Sequence, residues 1–359
     1  MERTTSVKIT KSTCWGLGGC DAGGCGWELH TSGGKLVKVE GDEDCPDNRG
    51  RLCARALGAL QYVNHPDRLK YPMKRVGKRG EGKWETISWD EAYDIIVKKL
   101  KEIKNTYGPE SVIFCQGTGR DIQAWISRLA YSYGSPNWNQ ATLGGQSCFL
   151  PRVAAAVLSF GDYPEADFGQ FTPQRFDNPE FTPPKYAIVW GKNPVYSHSD
   201  GFHGYWLVEC MRRGTKIICV DPRLTWIAAR SDVWLQLRPG TDAALALGML
   251  NVIINEELYD KSFVEKWCYG FEQLKQRAQE YPPEKASNIT WVPAEKIEVA
   301  ARLFATNKPS ALLTGVGMDQ QIGAVANATA VQDLLAITGN VEVPGGNVDV
   351  GFALAPTET

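Results

Sequence analysis

A chain of 359 residues allows two or three domains, and a hydrophobic fraction of 43% with 22% charged residues is ordinary for a globular protein. The formal net charge of −2 and the lack of a dense basic run argue against a nucleic-acid-binding protein. The sequence has no apolar run long enough for a transmembrane helix, and its N-terminus has neither the apolar core of an export signal nor a twin arginine. We therefore expect a cytoplasmic protein.

Cysteine spacing near the N-terminus indicates a metal centre. Ten cysteines are too sparse for a disulfide scaffold, and their clustering points to metal chemistry in a reducing compartment. Cys14, Cys20, Cys25 and Cys53 follow the pattern C-x5-C-x4-C-x27-C, with glycines between them. Four sulfurs suit an iron–sulfur cluster or zinc, and three close ligands with a remote fourth favour iron–sulfur over zinc, whose ligands usually come in two close pairs. Cys45, in an acidic turn, is interpreted as a bystander.

The first half of the chain changes character three times. Up to residue 66 we predict a small β-rich module, in which residues 26–40 form an antiparallel hairpin that turns at Gly33-Gly34. A helix is predicted from Ser88, because Ser88 and Glu91 form a capping box, and Gly108-Pro109 ends it. Residues 134–184 are rich in proline and are predicted as a long ordered loop, apart from a helix near residues 153–158.

Strands and helices alternate through much of the chain. Apolar runs predict strands at residues 112–115, 186–190, 216–220, 233–237 and 311–314. Helical spacing predicts helices at residues 122–133, up to 213, 243–255, 261–280, 294–305 and 324–338. This alternation predicts an α/β fold, with a doubly wound, mainly parallel sheet after the β-rich module.

Loops that contain glycine or aspartate follow the predicted strands. They are Gly117-Thr118-Gly119, Gly191-Lys192-Asn193-Pro194, Asp221-Pro222-Arg223, Gly240-Thr241-Asp242 and Gly315-Val316-Gly317. The carboxyl ends of parallel strands meet at one edge of a sheet, where such folds bind ligands. Glycine permits close approach of the backbone, and an aspartate can pair with ribose or base donors. Five such loops favour a large nucleotide-like cofactor over ordinary helix-entry turns.

Several longer motifs occur in a characteristic order. They are the cysteine cluster through G-R-L-C-A-R, H-P-D-R-L-K-Y-P-M-K-R, K-W-E-T-I-S-W-D-E-A, W-G-K-N-P, V-D-P-R-L-T and R-P-G-T-D-A-A. Together they resemble the molybdopterin-dependent oxidoreductases of the dimethyl sulfoxide reductase family, over nearly the whole chain but only the N-terminal part of that family's usual length. The resemblance implies a [4Fe-4S] cluster module at residues 1–66 and a dinucleotide-binding molybdopterin region at residues 67–359, incomplete at the C-terminus.

The resemblance also implies roles for single residues. The four cysteines named above would hold the cluster, although the family commonly spaces its first cysteines C-x2-C-x3-C, so which early cysteines ligate stays open. Arg55 would lie between the cluster and the pterin. Cys148 matches the position of a ligand to molybdenum or tungsten, and the alternative is that Cys148 is a small buried hydrophobic residue. The residues implied to bind two molybdopterin guanine dinucleotides are Gly191, Lys192, Asn193, Asp221, Arg223, Thr225, Gly240, Thr241, Asp242 and Gly317.

The implied activity is that of an enzyme, a molybdenum- or tungsten-bis-pterin oxidoreductase. Electrons would pass between the cluster and the metal, with transfer of an oxygen atom or hydroxyl to or from a small substrate. The candidate catalytic residues are Cys148, Asp21 and Arg55. One alternative is a non-redox hydratase, because Cys20-Asp21 resembles the Cys-Asp pair of acetylene hydratase in the same family, although Asp21 also suits a plain turn. Phenol dehydroxylation, transhydroxylation and a non-catalytic electron relay are further alternatives.

The expected partners follow from the same resemblance. They are a small-molecule substrate, an electron-transfer subunit, and a missing C-terminal portion or second chain, with neither nucleic acid nor a membrane span. His198 and His203 follow the Gly191-Lys192-Asn193-Pro194 loop, and each is interpreted either as a proton donor near the metal or, more ordinarily, as a solvated or core histidine.

Overall fold

The computed structural model describes residues 6–14, 25–45, 48–116, 123–140, 149–169, 181–197 and 203–349. The chain divides into two compact units, residues 1–144 and 145–359. The first unit contains the β-rich module and the helix that begins after Ser88, and the second contains the main parallel sheet. Among the described residues, no helix has both the length and the apolar character that crossing a membrane requires.

A three-stranded antiparallel sheet begins the first unit. Its strands are β1 (Lys8–Cys14), β2 (Cys25–Ser32) and β3 (Lys35–Gly41), in that order. The predicted hairpin is confirmed, and both glycines of its turn have positive φ, +57° at Gly33 and +78° at Gly34. The sequence did not predict β1, which pairs with β2 along its whole length.

The rest of the first unit is mainly helical. It contains α1 (Ala54–Leu57), α2 (Ala59–Asn64), β4 (Met73–Arg75), β5 (Trp84–Thr86), α3 (Trp89–Tyr107), β6 (Phe114–Gln116), α4 (Gln123–Tyr133) and β7 (Trp138–Gln140). The capping box at the start of α3 is confirmed, because the Ser88 hydroxyl accepts a hydrogen bond from the Glu91 backbone N–H at 3.1 Å. The helix ends at Gly108, whose φ of +83° suits glycine.

One of the five predicted cofactor loops does not follow a strand of the main sheet. Strand β6 pairs in parallel with β7 in a separate two-stranded sheet of the first unit. The loop Gly117-Thr118-Gly119 follows β6, and its residues lie outside the described part of the chain. The prediction that all five loops share one sheet edge was therefore wrong, because a short apolar run does not reveal which strand it pairs with.

The second unit alternates strands and helices. It contains α5 (Leu150–Phe160), β8 (Pro164–Ala166), β9 (Tyr186–Trp190), α6 (Pro194–Ser197), α7 (His203–Arg212), β10 (Lys216–Val220), β11 (Val233–Leu235), α8 (Asp242–Asn255), α9 (Lys261–Trp267), α10 (Phe271–Gln279), α11 (Pro283–Thr290), α12 (Ala294–Thr306), β12 (Ser310–Thr314), α13 (Val316–Asp319), α14 (Ala324–Thr338) and β13 (Asn347–Asp349).

The main sheet has four parallel strands in the order β11-β10-β9-β12. Its strands are continuous apolar runs, as expected for strands that are covered on both faces. Alternate residues of β9 enter two different cores: Ile188 and Trp190 pack with helices α8, α12 and α14, whereas Ala187 and Val189 pack with α7. The predicted doubly wound α/β fold is confirmed.

Two predicted boundaries in this unit were wrong. The helix predicted at residues 261–280 is divided into α9 and α10 at Gly270, whose φ of +83° suits glycine before a new helix. The stretch predicted as a loop contains β8, which pairs with β13 near the end of the described chain. Such pairing between strands that are far apart in sequence leaves no local signal.

Candidate functional site

Two of the four predicted cluster cysteines lie side by side. Cys14 at the end of β1 is directly opposite Cys25 at the start of β2. Opposite residues of antiparallel strands have Cα atoms about 4.5–5.5 Å apart and project their side chains to the same face. Both side chains are buried, with 7% and 8% exposure, and both cysteines are free of disulfides. Two buried, adjacent thiols are suitable ligands for a soft metal centre.

Asn48 brings the fourth cysteine segment to the same strand. Its amide donates to the carbonyls of Gly26 and Arg51, both at 2.8 Å, and its side-chain oxygen accepts from the Gly26 N–H at 2.9 Å. These bonds tie the residue after Cys25 to the stretch that leads to Cys53, which precedes α1. Asn48 was not predicted as a site residue from the sequence, although its position before Arg49-Gly50 is typical of a turn.

The other predicted residues of this module are only partly described. Cys20 and Asp21 lie outside the described residues. Arg55 lies in α1 and is half-buried. Cys45 packs against Gly26, where an added Cβ would lie 2.9 Å from the Cys45 sulfur. Its interpretation as a bystander stays a prediction.

A second cluster of ligand-type side chains in this unit was not found from the sequence. Glu28, His30 and Glu40 bring their ligand atoms within 4.8 Å of one another on β2 and β3. Lys38 lies 2.7 Å from Glu40 and lowers the pKa of that carboxyl, and Lys11 lies 3.8 Å from Glu28. Because both carboxylates have lysine partners, the cluster is a network of ion pairs at the sheet surface.

In the second unit, the loops after β9 and β12 interlock at the carboxyl edge of the main sheet. The Gly317 N–H donates to the Gly191 carbonyl at 3.1 Å. An added Cβ on Gly315 would lie 2.5 Å from the Lys192 Cβ, and one on Gly317 would lie 2.9 Å from the Gly191 oxygen. Gly191 also has a φ of +59°. Glycine is therefore required at this edge, which leaves the backbone close to any bound group.

Lys192 is a buried cation in the loop after β9, with 5% exposure. Its Nζ lies 3.5 Å from Nδ1 of His203, and Nε2 of His203 lies 3.8 Å from a carboxylate oxygen of Glu165. A buried charge is tolerated when polar partners surround it. His203 is thus a core histidine beside a predicted cofactor residue, whereas His198 lies outside the described residues.

Asn193 supplies a buried acceptor that lacks a donor. Its side-chain oxygen is inaccessible to solvent and has no hydrogen-bond partner among the described residues. Leaving such an acceptor unsatisfied costs about 1–3 kcal/mol. A ligand with a hydrogen-bond donor would remove this cost, so the residue fits a cofactor contact.

The loop after β10 contains a buried carboxyl. Asp221 accepts a hydrogen bond from the Arg223 backbone N–H at 2.8 Å, and its side chain is 7% exposed. Burial raises the pKa of Asp221, while the Arg223 backbone and guanidinium oppose that shift. The Arg223 side chain is mostly exposed. Thr225 accepts from the Ala228 N–H at 3.1 Å, so its hydroxyl is engaged within the protein.

The loop after β11 is tied back to its neighbours through Asp242. One carboxylate oxygen accepts from the Trp190 indole at 2.7 Å, and the other accepts from the Gln321 amide at 2.7 Å. The Thr241 hydroxyl donates to the Arg238 carbonyl at 2.6 Å, and Gly240 has a φ of +86°. Four of the five predicted loops therefore meet at one edge, and Asp242 links three strand ends there.

A buried ion pair connects this edge to α5. The Arg152 guanidinium donates to Asp319 at 2.8 Å, and the Arg152 backbone N–H donates to the second carboxylate oxygen at 2.9 Å. Tyr163 and Gln332 add hydrogen bonds at 3.0 Å each. Arg152 follows Cys148 by four residues, and Cys148 itself lies outside the described residues. This pair was not predictable from local sequence patterns, because its members are 167 residues apart.

Comparison with known proteins gives matches over both units. Residues 7–65 match the molybdopterin oxidoreductase Fe4S4 domain, and residues 68–352 match molybdopterin oxidoreductase. Acetylene hydratase of Syntrophotalea acetylenica is 40% identical over 294 residues, which are 80% of this chain and 38% of the hydratase. Dimethyl sulfoxide reductase DmsA of Escherichia coli is 33% identical over 362 residues, covering 90% of this chain and 43% of the reductase.

A solved structure is similar as well. Acetylene hydratase from Pelobacter acetylenicus matches with a TM-score of 0.74 and 35% identity, over 91% of this chain and 43% of that one. The chain spans less than half the length of each of these relatives.

Proposed function

Because the chain belongs to the molybdopterin oxidoreductase family, we propose that it forms the cluster-binding and pterin-binding part of a molybdenum or tungsten oxidoreductase. In this proposal residues 1–66 hold a [4Fe-4S] cluster, and residues 67–359 bind two molybdopterin guanine dinucleotides. When bound, these groups supply electron transfer and oxygen-atom or hydroxyl transfer on a small substrate. Four loops converge at one sheet edge, and the Asn193 side-chain oxygen there has no donor within the described ranges. These two observations support the proposal.

The protein's own residues would bind and orient these groups. Cys14, Cys20, Cys25 and Cys53 are the proposed cluster ligands, and Cys148 is the proposed ligand to molybdenum or tungsten. Arg55 would support electron passage as a permanent cation beside the cluster segment. At the sheet edge, glycine backbone would accommodate the dinucleotides, while Lys192 would neutralise phosphate charge and Asn193 and Asp221 would accept hydrogen bonds from base or ribose.

Anaerobic purification followed by metal and nucleotide analysis tests the proposal. We expect about four irons and one molybdenum or tungsten per chain, with guanine nucleotide released on denaturation. Zinc without iron would contradict the cluster assignment. Iron without molybdenum, tungsten or nucleotide would contradict the proposed cofactor site at the sheet edge.

The substitution Asn193→Leu tests the edge more sharply. Since the side-chain oxygen has no donor among the described residues, its replacement by an apolar group should not lower the free energy of unfolding of cofactor-free protein and should raise it by up to about 1–3 kcal/mol. The same substitution should lower the amount of nucleotide that co-purifies. Unchanged nucleotide content would remove Asn193 from the proposed site.

A non-redox hydratase is the second candidate. The higher identity with the acetylene hydratase of S. acetylenica than with DmsA favours it. In that case Asp21 would act as the acid that donates a proton to the substrate, and the metal, when bound, would supply activation of water. Hydration of acetylene without an external electron donor or acceptor would favour the hydratase. Turnover of a sulfoxide, or dehydroxylation of a phenol, that depends on a reduced viologen would favour the oxidoreductase.

A further inference from the structure

A large cavity in the second unit lies outside the proposed cofactor edge. It has a volume of about 840 Å³, is partly open to solvent and is lined by the end of α5 and by α9, α10 and α14. Pockets for small organic ligands have volumes of roughly 300–1,000 Å³. None of the residues that line it belongs to the loops after β9, β10, β11 or β12. The proposed cofactors therefore leave this cavity unexplained.

The walls of the cavity are largely aromatic. Phe160, Phe263, Trp267, Tyr269 and Phe271 line it, and the Trp267 side chain is 75% exposed at the surface. Large aromatic side chains that face open space mark binding sites more often than chance positions do. The faces of aromatic rings also attract cations, so a cavity with aromatic walls favours a positively charged ligand over a negatively charged one.

Asp333 gives the cavity a negative charge. It projects from α14, a mostly apolar helix, and nothing in the described part of the chain donates a hydrogen bond to its carboxyl. Burial raises the pKa of Asp333 to about 6, and a cation bound beside it would favour its ionised form. The other charged residue of the lining is the exposed Glu342, and no lysine, arginine or histidine is among the described lining residues.

The lining suits a cation with an apolar body. Asp333 is a partly buried carboxylate, and an ammonium group would both pair with it and contact the aromatic rings. A bare Mg²⁺ or Ca²⁺ fits poorly, because these ions require about six or more oxygen ligands and this lining offers few. The apolar walls would bury the remainder of an organic ligand.

We propose that this cavity binds a small organic amine, whose ammonium group pairs with Asp333 and whose apolar body packs against Phe160, Trp267 and Phe271. The binding site is independent of the cluster and pterin sites. It thus adds a second ligand to the protein, whichever reaction the sheet edge supports.

Isothermal titration of the purified full chain with 4-phenylbutylamine tests this proposal, with 4-phenylbutanol as the uncharged probe. We expect the amine to bind about tenfold or more tightly than the alcohol. Asp333→Asn keeps the side-chain shape and should remove that preference. Glu295→Gln removes an exposed carboxylate outside the cavity and should leave amine binding unchanged.

A second variant separates binding in the cavity from binding elsewhere. Ala336→Phe adds a ring to the cavity wall and should weaken both probes. Equal affinity for amine and alcohol, or an Asp333→Asn variant that keeps the preference, would overturn the proposal. Absence of amine binding up to about 10 mM would overturn it as well.

Discussion

The buried pair of Arg152 and Asp319 allows a quantitative test of the edge architecture. The two side chains are 4% and 0% exposed, so solvent does not screen them. Asp319→Asn preserves volume but removes the negative charge that pairs with the Arg152 guanidinium, and it turns an amide donor toward that donor. Removing one member of a buried ion pair costs about 3–5 kcal/mol, and we expect the free energy of unfolding to fall by that amount.

Urea denaturation of cofactor-free protein measures this loss, since a lower midpoint at constant slope reports a change in stability. Glu280→Gln is the matched control, because Glu280 pairs with Arg277 at 2.6 Å but both side chains are more than half exposed. An exposed pair contributes about 0.2–1 kcal/mol. A loss below about 1 kcal/mol for Asp319→Asn would refute the claim that this pair is a structural anchor.

The same pair yields a coupling energy. Arg152→Met alone removes the guanidinium that donates to the buried Asp319 carboxylate, whereas the double variant Arg152→Met with Asp319→Asn removes both charges. We expect the double variant to be more stable than the sum of the single losses predicts, by about 1–3 kcal/mol. Additive losses would mean that the two charges do not interact strongly. Nucleotide content should fall in parallel, because Asp319 ends α13 beside the cofactor loop.

Three further predictions concern other parts of the chain. Cys25→Ala should abolish the visible absorbance and the iron content of anaerobically purified protein, whereas Cys45→Ala should keep both. Loss of iron in the Cys45→Ala variant would identify Cys45 as a cluster ligand. Gly315→Ala places a Cβ 2.5 Å from the Lys192 Cβ, so it should lower the free energy of unfolding by about 1–3 kcal/mol and reduce the amount of bound nucleotide. Wild-type stability together with wild-type nucleotide content would contradict the close packing. Asp333 has a raised pKa in the folded state, so ionisation of its carboxyl destabilises the fold as pH rises. In urea denaturation, the free energy of unfolding of Asp333→Asn should equal that of wild type near pH 4 and exceed it by up to about 3 kcal/mol near pH 8. A difference that does not depend on pH would refute this prediction.

Local patterns in the sequence predict the main sheet well. The strands Tyr186–Trp190 and Lys216–Val220 and the helix Ala324–Thr338 have the predicted limits, because each is a strongly periodic or continuous apolar segment. The loops after these strands were also identified, since parallel strands must present their carboxyl ends together. The membership of β6 in a separate sheet was not predictable, because strand pairing depends on residues far away in the chain.

The contacts that shape the site were harder to predict than its loops. Asn48 forms two hydrogen bonds to the backbone of Gly26 in another segment and a local one to Arg51, and the partner of Arg152 is 167 residues away. Neither Asn48 nor Arg152 belongs to a sequence motif of catalytic or cofactor-binding residues. Asp333 was not predicted for a related reason. A single acidic residue in an apolar helix is ordinarily assigned to the solvent-exposed face, whereas Asp333 lines a cavity.

Asp242 shows how a residue can match a family pattern and still act mainly within the protein. The resemblance assigns it to the cofactor, yet both of its oxygens accept hydrogen bonds from side chains of the neighbouring strand ends. Each bond to a buried carboxylate contributes about 1.5–3 kcal/mol, so together they hold Trp190 and Gln321 at the edge. The carboxylates of Asp242 and Asp319 thus hold neighbouring segments of the edge together, and the glycine backbone and Asn193 remain the proposed ligand contacts.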